Sequence, residues 1–165
     1  MIRQKSFENA QPTLFLVPTP IGNLNEMSPR AIATLKEVDV IACEDTRTSG
    51  QLLKRFDIHS KLIAYHNFNE ETSANGILEL LHEGKNVALI SDAGYPLIND
   101  PGQKVVTLVS EEGYNVVPIS GPSAFLNALV ASGLVAQPFL FIGFLPQSHS
   151  DRVKKLNEYK NYPMT

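Results

Sequence analysis

The chain has 165 residues, 43% of them hydrophobic and 19% charged, with a formal net charge of −3. This is an ordinary globular composition, long enough for one domain or for one domain and part of another. The negative balance excludes global attraction to nucleic acid, leaving only local basic patches for such contacts, and the single cysteine, Cys43, excludes an intrachain disulfide and fits a reducing cytoplasm.

Residues 1–13 are polar and lack an apolar core, so they read as a tail and not as a secretory signal. Residues 14–17, Leu-Phe-Leu-Val, form the first expected strand. Ser28-Pro29 caps a helix running to about Glu37, with Ala31 and Leu35 on one face. Residues 38–43 are the second strand. Cys43 ends it inside an apolar run, where a small core residue is expected and not a nucleophile. A helix follows over about residues 49–56, then a short strand at 61–65. The next helix spans about residues 70–82, with Ile77, Leu78, Leu80 and Leu81 apolar and Gly84 suited to its end.

Residues 87–90, Val-Ala-Leu-Ile, are the fourth strand. Asp100-Pro101-Gly102 reads as a helix start, with Asp100 as cap and Pro101 in the first turn. That helix carries Val105, Leu108 and Val109 and ends at Gly113. Residues 115–119 are the fifth strand. Strands alternating with helices point to a parallel sheet covered on both faces. Beyond residue 120 the expected elements are a helix to about Ser132, a strand at 139–144 and a helix at about 150–159. The expected division is therefore a tail at 1–13, an α/β domain at 14–119 and the start of a second α/β domain at 120–165. One strand does not make a sheet, so this second domain is expected to be truncated or to rely on another chain.

The loop between the fourth strand and its helix, residues 91–102, is longer than a connection needs. Ligands of α/β sheets sit beyond the carboxyl ends of the strands, and Ser91, Asp92, Ala93 and Gly94 let backbone approach a ligand closely. The loop after the first strand, residues 18–24, lacks the Gly-x-Gly-x-x-Gly pattern, which argues against a pyrophosphate cradle. It suits either a cofactor without phosphates or a stiff turn. Glu44-Asp45-Thr46-Arg47 reads first as a helix cap with an internal pair; its acids could also accept from a ribose, and Arg47 could hold a nucleic-acid phosphate. His66 also ends a strand, where a structural or solvent-facing histidine is the commoner case. Residues 120–124 open a helix at the expected junction of the two units, where ligand sites are favoured. Arg152, Lys154 and Lys155 form the densest basic patch and read as a solvated helix face.

Six stretches in order, at residues 16–24, 44–47, 91–94, 99–102, 121–124 and 143–146, resemble the tetrapyrrole methylase superfamily, most nearly its members that methylate small-subunit ribosomal RNA. The resemblance implies S-adenosyl-L-methionine as methyl donor, bound between two α/β domains. It places cofactor contacts at Pro20, Ile21, Gly22, Ser91, Asp92, Ala93, Gly94, Ile98, Ser123 and Ala124. It implies 2′-O-methylation of a cytidine ribose in 16S rRNA of the small ribosomal subunit, by a cytoplasmic homodimer with no membrane contact. Arg47 and His66 are the candidate substrate contacts. No residue is assigned as catalytic base, and no metal is expected.

Two positions depart from the family pattern, which usually has Thr at Tyr95 and Pro at Ser120. Full-length members continue for roughly a hundred residues more, in keeping with ordinary domain size, so the chain is expected to be a fragment. Gly94 is expected to need its missing side chain to admit the cofactor. The rival readings are methylation of a tetrapyrrole or another small molecule, and a non-catalytic RNA-binding module, which the negative charge disfavours.

Overall fold

A computed structural model describes residues 4–6, 8–66 and 70–163. The chain divides into two compact units, Met1–Pro122 and Ser123–Thr165. The first is built on β1 (Thr13–Val17), β2 (Val40–Cys43), β3 (Lys61–Ala64), β4 (Val87–Ile90) and β5 (Asn115–Pro118). All the strand pairs are parallel, in the order β3-β2-β4-β1-β5. Four helices connect them: α1 (Pro29–Glu37), α2 (Thr46–Arg55), α3 (Glu70–His82) and α4 (Gln103–Glu111).

Side-chain alternation along each strand assigns the two faces. Val17, Ile41, Cys43, Ala88 and Ile90 pack with Ala31 and Leu35 of α1 and Leu53 of α2. Leu14, Val40, Ala42, Val87 and Leu89 pack with Ala74, Ile77 and Leu81 of α3 and Val105 and Val109 of α4. Strands buried on both faces read as continuous apolar runs, which is why β2 and β4 stand out in the sequence. Cys43 is fully buried, and burial pushes its thiol above the ordinary value, as suits a core residue.

Several boundaries differ from those the sequence suggests. α2 starts at Thr46 and not near Ser49, because the Asp45 carboxylate accepts from the backbone N–H groups of Arg47 and Thr48. α4 starts at Gln103, so Asp100 is not its cap and Pro101 is not in its first turn. Its cap position is Gly102, at φ +138°, with no side-chain cap of its own. The cap comes from another helix: Glu70 Oε1 accepts from the N–H of Gly102 at 3.1 Å and of Lys104 at 3.5 Å. The buried Tyr65 hydroxyl donates to the same oxygen at 3.4 Å. A carboxylate also suits the positive end of the helix dipole. Glu70→Ala is expected to cost about 1–2 kcal/mol, measured by urea unfolding, with Glu70→Gln keeping part of it through its amide oxygen.

The polar segment before β1 is also tied down. The side-chain amide of Gln4 donates to Tyr114 O and accepts from Val116 N–H, so it bonds the free side of edge strand β5.

The second unit contains α5 (Ala124–Ala131) and α6 (His149–Tyr159). The strand expected at residues 139–144 does not form. A strand requires a neighbour for its N–H and C=O groups, and among the described residues this unit supplies none. Phe125 meets the rings of Phe139 at 6.2 Å and Phe141 at 4.7 Å, although residues 139–142 are all exposed. Leu140 and Phe144 are exposed. On α6, Lys155 pairs with Glu158 at 2.8 Å, in keeping with a solvated face. Among the described residues no helix is long and apolar enough to cross a membrane.

Candidate functional site

The strand order creates a crevice between β1 and β4. From β1 the chain leaves through α1 on one face of the sheet; from β4 it leaves through α4 on the opposite face. Adjacent parallel strands whose connections diverge leave a gap beyond their carboxyl ends, the usual ligand position in such sheets. The loops at residues 18–24 and 91–102 flank this gap.

Their chemistry joins them. Pro18 and Pro20 have no N–H, so Thr19 carries the only amide donor of that tripeptide. It donates to Gly94 O at 2.9 Å, and Gly94 N–H returns a bond to Thr19 O at 3.0 Å. The buried Thr19 hydroxyl donates to Ser91 O, and the buried Ser91 hydroxyl donates to Gly94 O, each at 2.9 Å. Thr19 is a residue that sequence reasoning passed over. Its signal was its place between two prolines, where its backbone must serve for three residues.

The β4 loop is held in an unusual backbone state. Gly94, Leu97, Asn99 and Gly102 all have positive φ, at +81°, +73°, +65° and +138°. For Leu97 this is a genuine outlier, and such strain gathers at ligand clamps. At Gly94 an added Cβ would meet only the Ile21 side chain, at 3.7 Å, an ordinary contact. What the chain itself requires there is the left-handed backbone.

The candidate residues fall into three groups. Pro20, Ile21 and Gly22 on the β1 loop stand with Ser91, Asp92, Ala93 and Gly94 on the β4 loop, joined by the Thr19–Gly94 bridge. Pro20, Ser91 and Gly94 are buried, whereas Asp92, Ala93 and Ile98 are exposed. Arg47 and His66 lie elsewhere, with Asp92, in an open cavity of about 500 Å³ that Glu44, Asp45 and Thr46 also line. Ser123 is the cap residue of α5 and Ala124 its first residue, both in the second unit. A larger opening, about 680 Å³, lies between α3 and α4 and holds none of the candidate residues.

The acids at the strand ends shape the electrostatics. The Arg47 side chain, 88% exposed, donates to the Asp45 carboxylate. Those bonds hold Asp45 below the usual carboxylate value. Asp92, although exposed as a residue, is pushed up first by partial desolvation of its carboxyl group and then by the Asp45 charge. Asp100 is raised by burial first, then by the charges of Glu44 and Asp92.

The sign for Asp92 follows from linkage. Its folded pKa lies above its unfolded one, so its contribution is fully present below about the ordinary value of 3.8 and is lost as pH rises through the folded pKa. At pH 7 the ionised side chain is a burden on the fold. Asp92→Asn is therefore expected to raise the thermal midpoint at pH 7, with the gain disappearing near pH 3; an equal shift at both pH values would contradict this.

Residues 13–160 match the family model described as tetrapyrrole (corrin/porphyrin) methylases, and the chain belongs to that family. Among curated proteins it is 49% identical over 160 residues to the ribosomal RNA small subunit methyltransferase I of Bacillus subtilis (strain 168), which covers 96% of this chain and 55% of the relative. It is 46% identical over 165 residues to the protein of the same name in Escherichia coli O157:H7, covering 100% of this chain and 58% of the relative. The chain thus spans somewhat more than half the length of these relatives. Among solved structures, a uroporphyrin-III-C-methyltransferase from Thermus thermophilus matches 75% of this chain and 54% of its own, with a TM-score of 0.59 and 20% identity, a likeness of fold.

Proposed function

We propose that the β1/β4 crevice takes S-adenosylmethionine and that the protein methylates the 2′-hydroxyl of a cytidine in 16S rRNA. The observation that carries the reading is the Thr19–Gly94 bridge, which presents the two candidate cofactor loops together at the divergence of the sheet. The names of relatives at 46–49% identity support rRNA as substrate.

The residues present fit this donor. It is a sulfonium cation without phosphates; the β4 loop carries the Asp92 carboxylate, and the β1 loop has no phosphate-binding glycine pattern. Ile98, 43% exposed, half-buried Ile21 and small Ala93 offer apolar contact for a nucleoside. When bound, the donor supplies an electrophilic methyl group.

The chain's own work is then to align the ribose oxygen with that methyl group, since an in-line displacement depends on positioning. Arg47 has an exposed guanidinium suited to a backbone phosphate. Asp92 faces the same cavity as Arg47 and His66, and its carboxylate is the group there that could accept a hydroxyl proton. The reading further takes the protein to be a cytoplasmic homodimer, to be checked by sedimentation.

The decisive experiment is tritium transfer from labelled S-adenosylmethionine to small ribosomal subunits, comparing this chain with one of the relatives' full length. Label at a cytidine ribose is the expected result. Label on porphyrinoids or other small molecules, and none on rRNA, would replace the substrate by a small molecule. RNA binding without any transfer by either protein would leave a binding module.

A further inference from the structure

The segment leaving β5, residues 118–122, runs Pro-Ile-Ser-Gly-Pro, with stiff residues at both ends. Its amide of Ile119 donates to Leu16 O at 2.9 Å, which continues the sheet. The next donor with a partner is Gly121, and that partner is not backbone. Gly121 N–H donates to the Tyr95 hydroxyl at 2.9 Å. The Ser28 hydroxyl reaches Ser120 O only at 3.5 Å.

The approach is close. A Cβ on Gly121 would stand 2.4 Å from Pro18 Cγ, so Gly121 packs too closely on the proline ring of the β1 loop to carry a side chain. Tyr95 itself follows Gly94, the residue bonded both ways to Thr19. Since β1 lies between β4 and β5 in the sheet, the Tyr95 side chain crosses the carboxyl end of β1 to reach the β5 exit. Three loops of the first unit are thereby closed into one piece: β4 to β1 through Gly94–Thr19, β1 to β5 through Pro18–Gly121, and β4 to β5 through Tyr95–Gly121.

We propose that Tyr95 is a positioning residue for the crevice, its hydroxyl latching the β5 exit to the β4 loop so that the ligand walls stand in place before a ligand arrives. The proposal rests on the cofactor reading above and deepens it. The latch acts through conformation: without it the β4 loop, with four left-handed residues, samples arrangements that do not bind. Apparent affinity then falls by the fraction of time the loop is misplaced.

Tyr95→Phe keeps the ring and removes only the hydroxyl that accepts from Gly121 N–H. A lost hydrogen bond of ordinary strength corresponds to a drop in affinity of about three- to tenfold. We expect S-adenosylmethionine to bind Tyr95→Phe that much more weakly by calorimetry. The Gly121 amide should exchange with solvent several-fold faster by NMR, with little change in the thermal midpoint. A purely structural tyrosine would lower the midpoint and leave the affinity of the folded protein unchanged.

Equal affinity in the wild-type chain and Tyr95→Phe would overturn the proposal. If the wild-type chain does not bind S-adenosylmethionine, the cofactor reading falls, and with it the positioning role for that ligand. The Gly121 amide then decides the latch alone: faster exchange in Tyr95→Phe sustains it, and unchanged exchange removes it.

Discussion

Gly121→Ala is expected to destabilise the first unit by about 1–3 kcal/mol, the cost of overpacking against Pro18. The added Cβ would lie 2.4 Å from Pro18 Cγ and 3.3 Å from its Cβ. A flexible side chain could swing aside, but a proline ring is closed onto the backbone and can yield only by a change of pucker. Nor does Gly121 have positive φ, so the cost is steric and not conformational. Relief must come from moving the β5 exit off the β1 loop, which stretches the bond from Gly121 N–H to Tyr95. Urea unfolding would measure the loss, and a wild-type midpoint would show that the loops separate at no cost.

Gly102→Ala is expected to cost more, about 2–4 kcal/mol, because two penalties meet. The backbone stands at φ +138°, which side-chain-bearing residues rarely adopt, and the new Cβ would lie 2.8 Å from Leu89 Cδ2 and 3.0 Å from Leu97 Cδ1. Leu89 is buried in the core, and Leu97 is itself held at positive φ, so neither yields easily. The same residue gives its N–H to Glu70, and displacement would uncap α4. Gly113→Ala is the comparison: its φ is +82° with open space around it, so it reports a positive-φ backbone penalty with no packing clash. Equal losses at the two positions, by the same unfolding measurement, would mean that packing at Gly102 contributes nothing.

Much of the first unit was legible because its signals are local. Ser28-Pro29 announces α1, and the Ser28 hydroxyl does accept from Ala31 N–H at 3.1 Å. Apolar runs two faces deep mark β2 and β4. The start of α4 was misread because Asp100-Pro101-Gly102 carries the local marks of a helix start. The actual cap arrives from Glu70, 32 residues away in sequence. The strand expected at 139–144 failed for a related reason. Alternation records which side chains share a face, but a strand exists only when another strand accepts its hydrogen bonds.

The sequence by itself determined the α/β class, the two apolar faces of the sheet and the loops that deserved attention, since each follows from periodicity and turn chemistry within a few residues. Tertiary structure decided how those loops meet. Strand order put β1 beside β4, and that adjacency turned Thr19 from a residue between two prolines into the bridge between the two loops. It also sent the Tyr95 hydroxyl to the Gly121 amide and brought Arg47, His66 and Asp92 to one cavity. These are contacts between segments tens of residues apart, and a chain of local preferences cannot specify which distant partner satisfies a given donor until the sheet has ordered its strands.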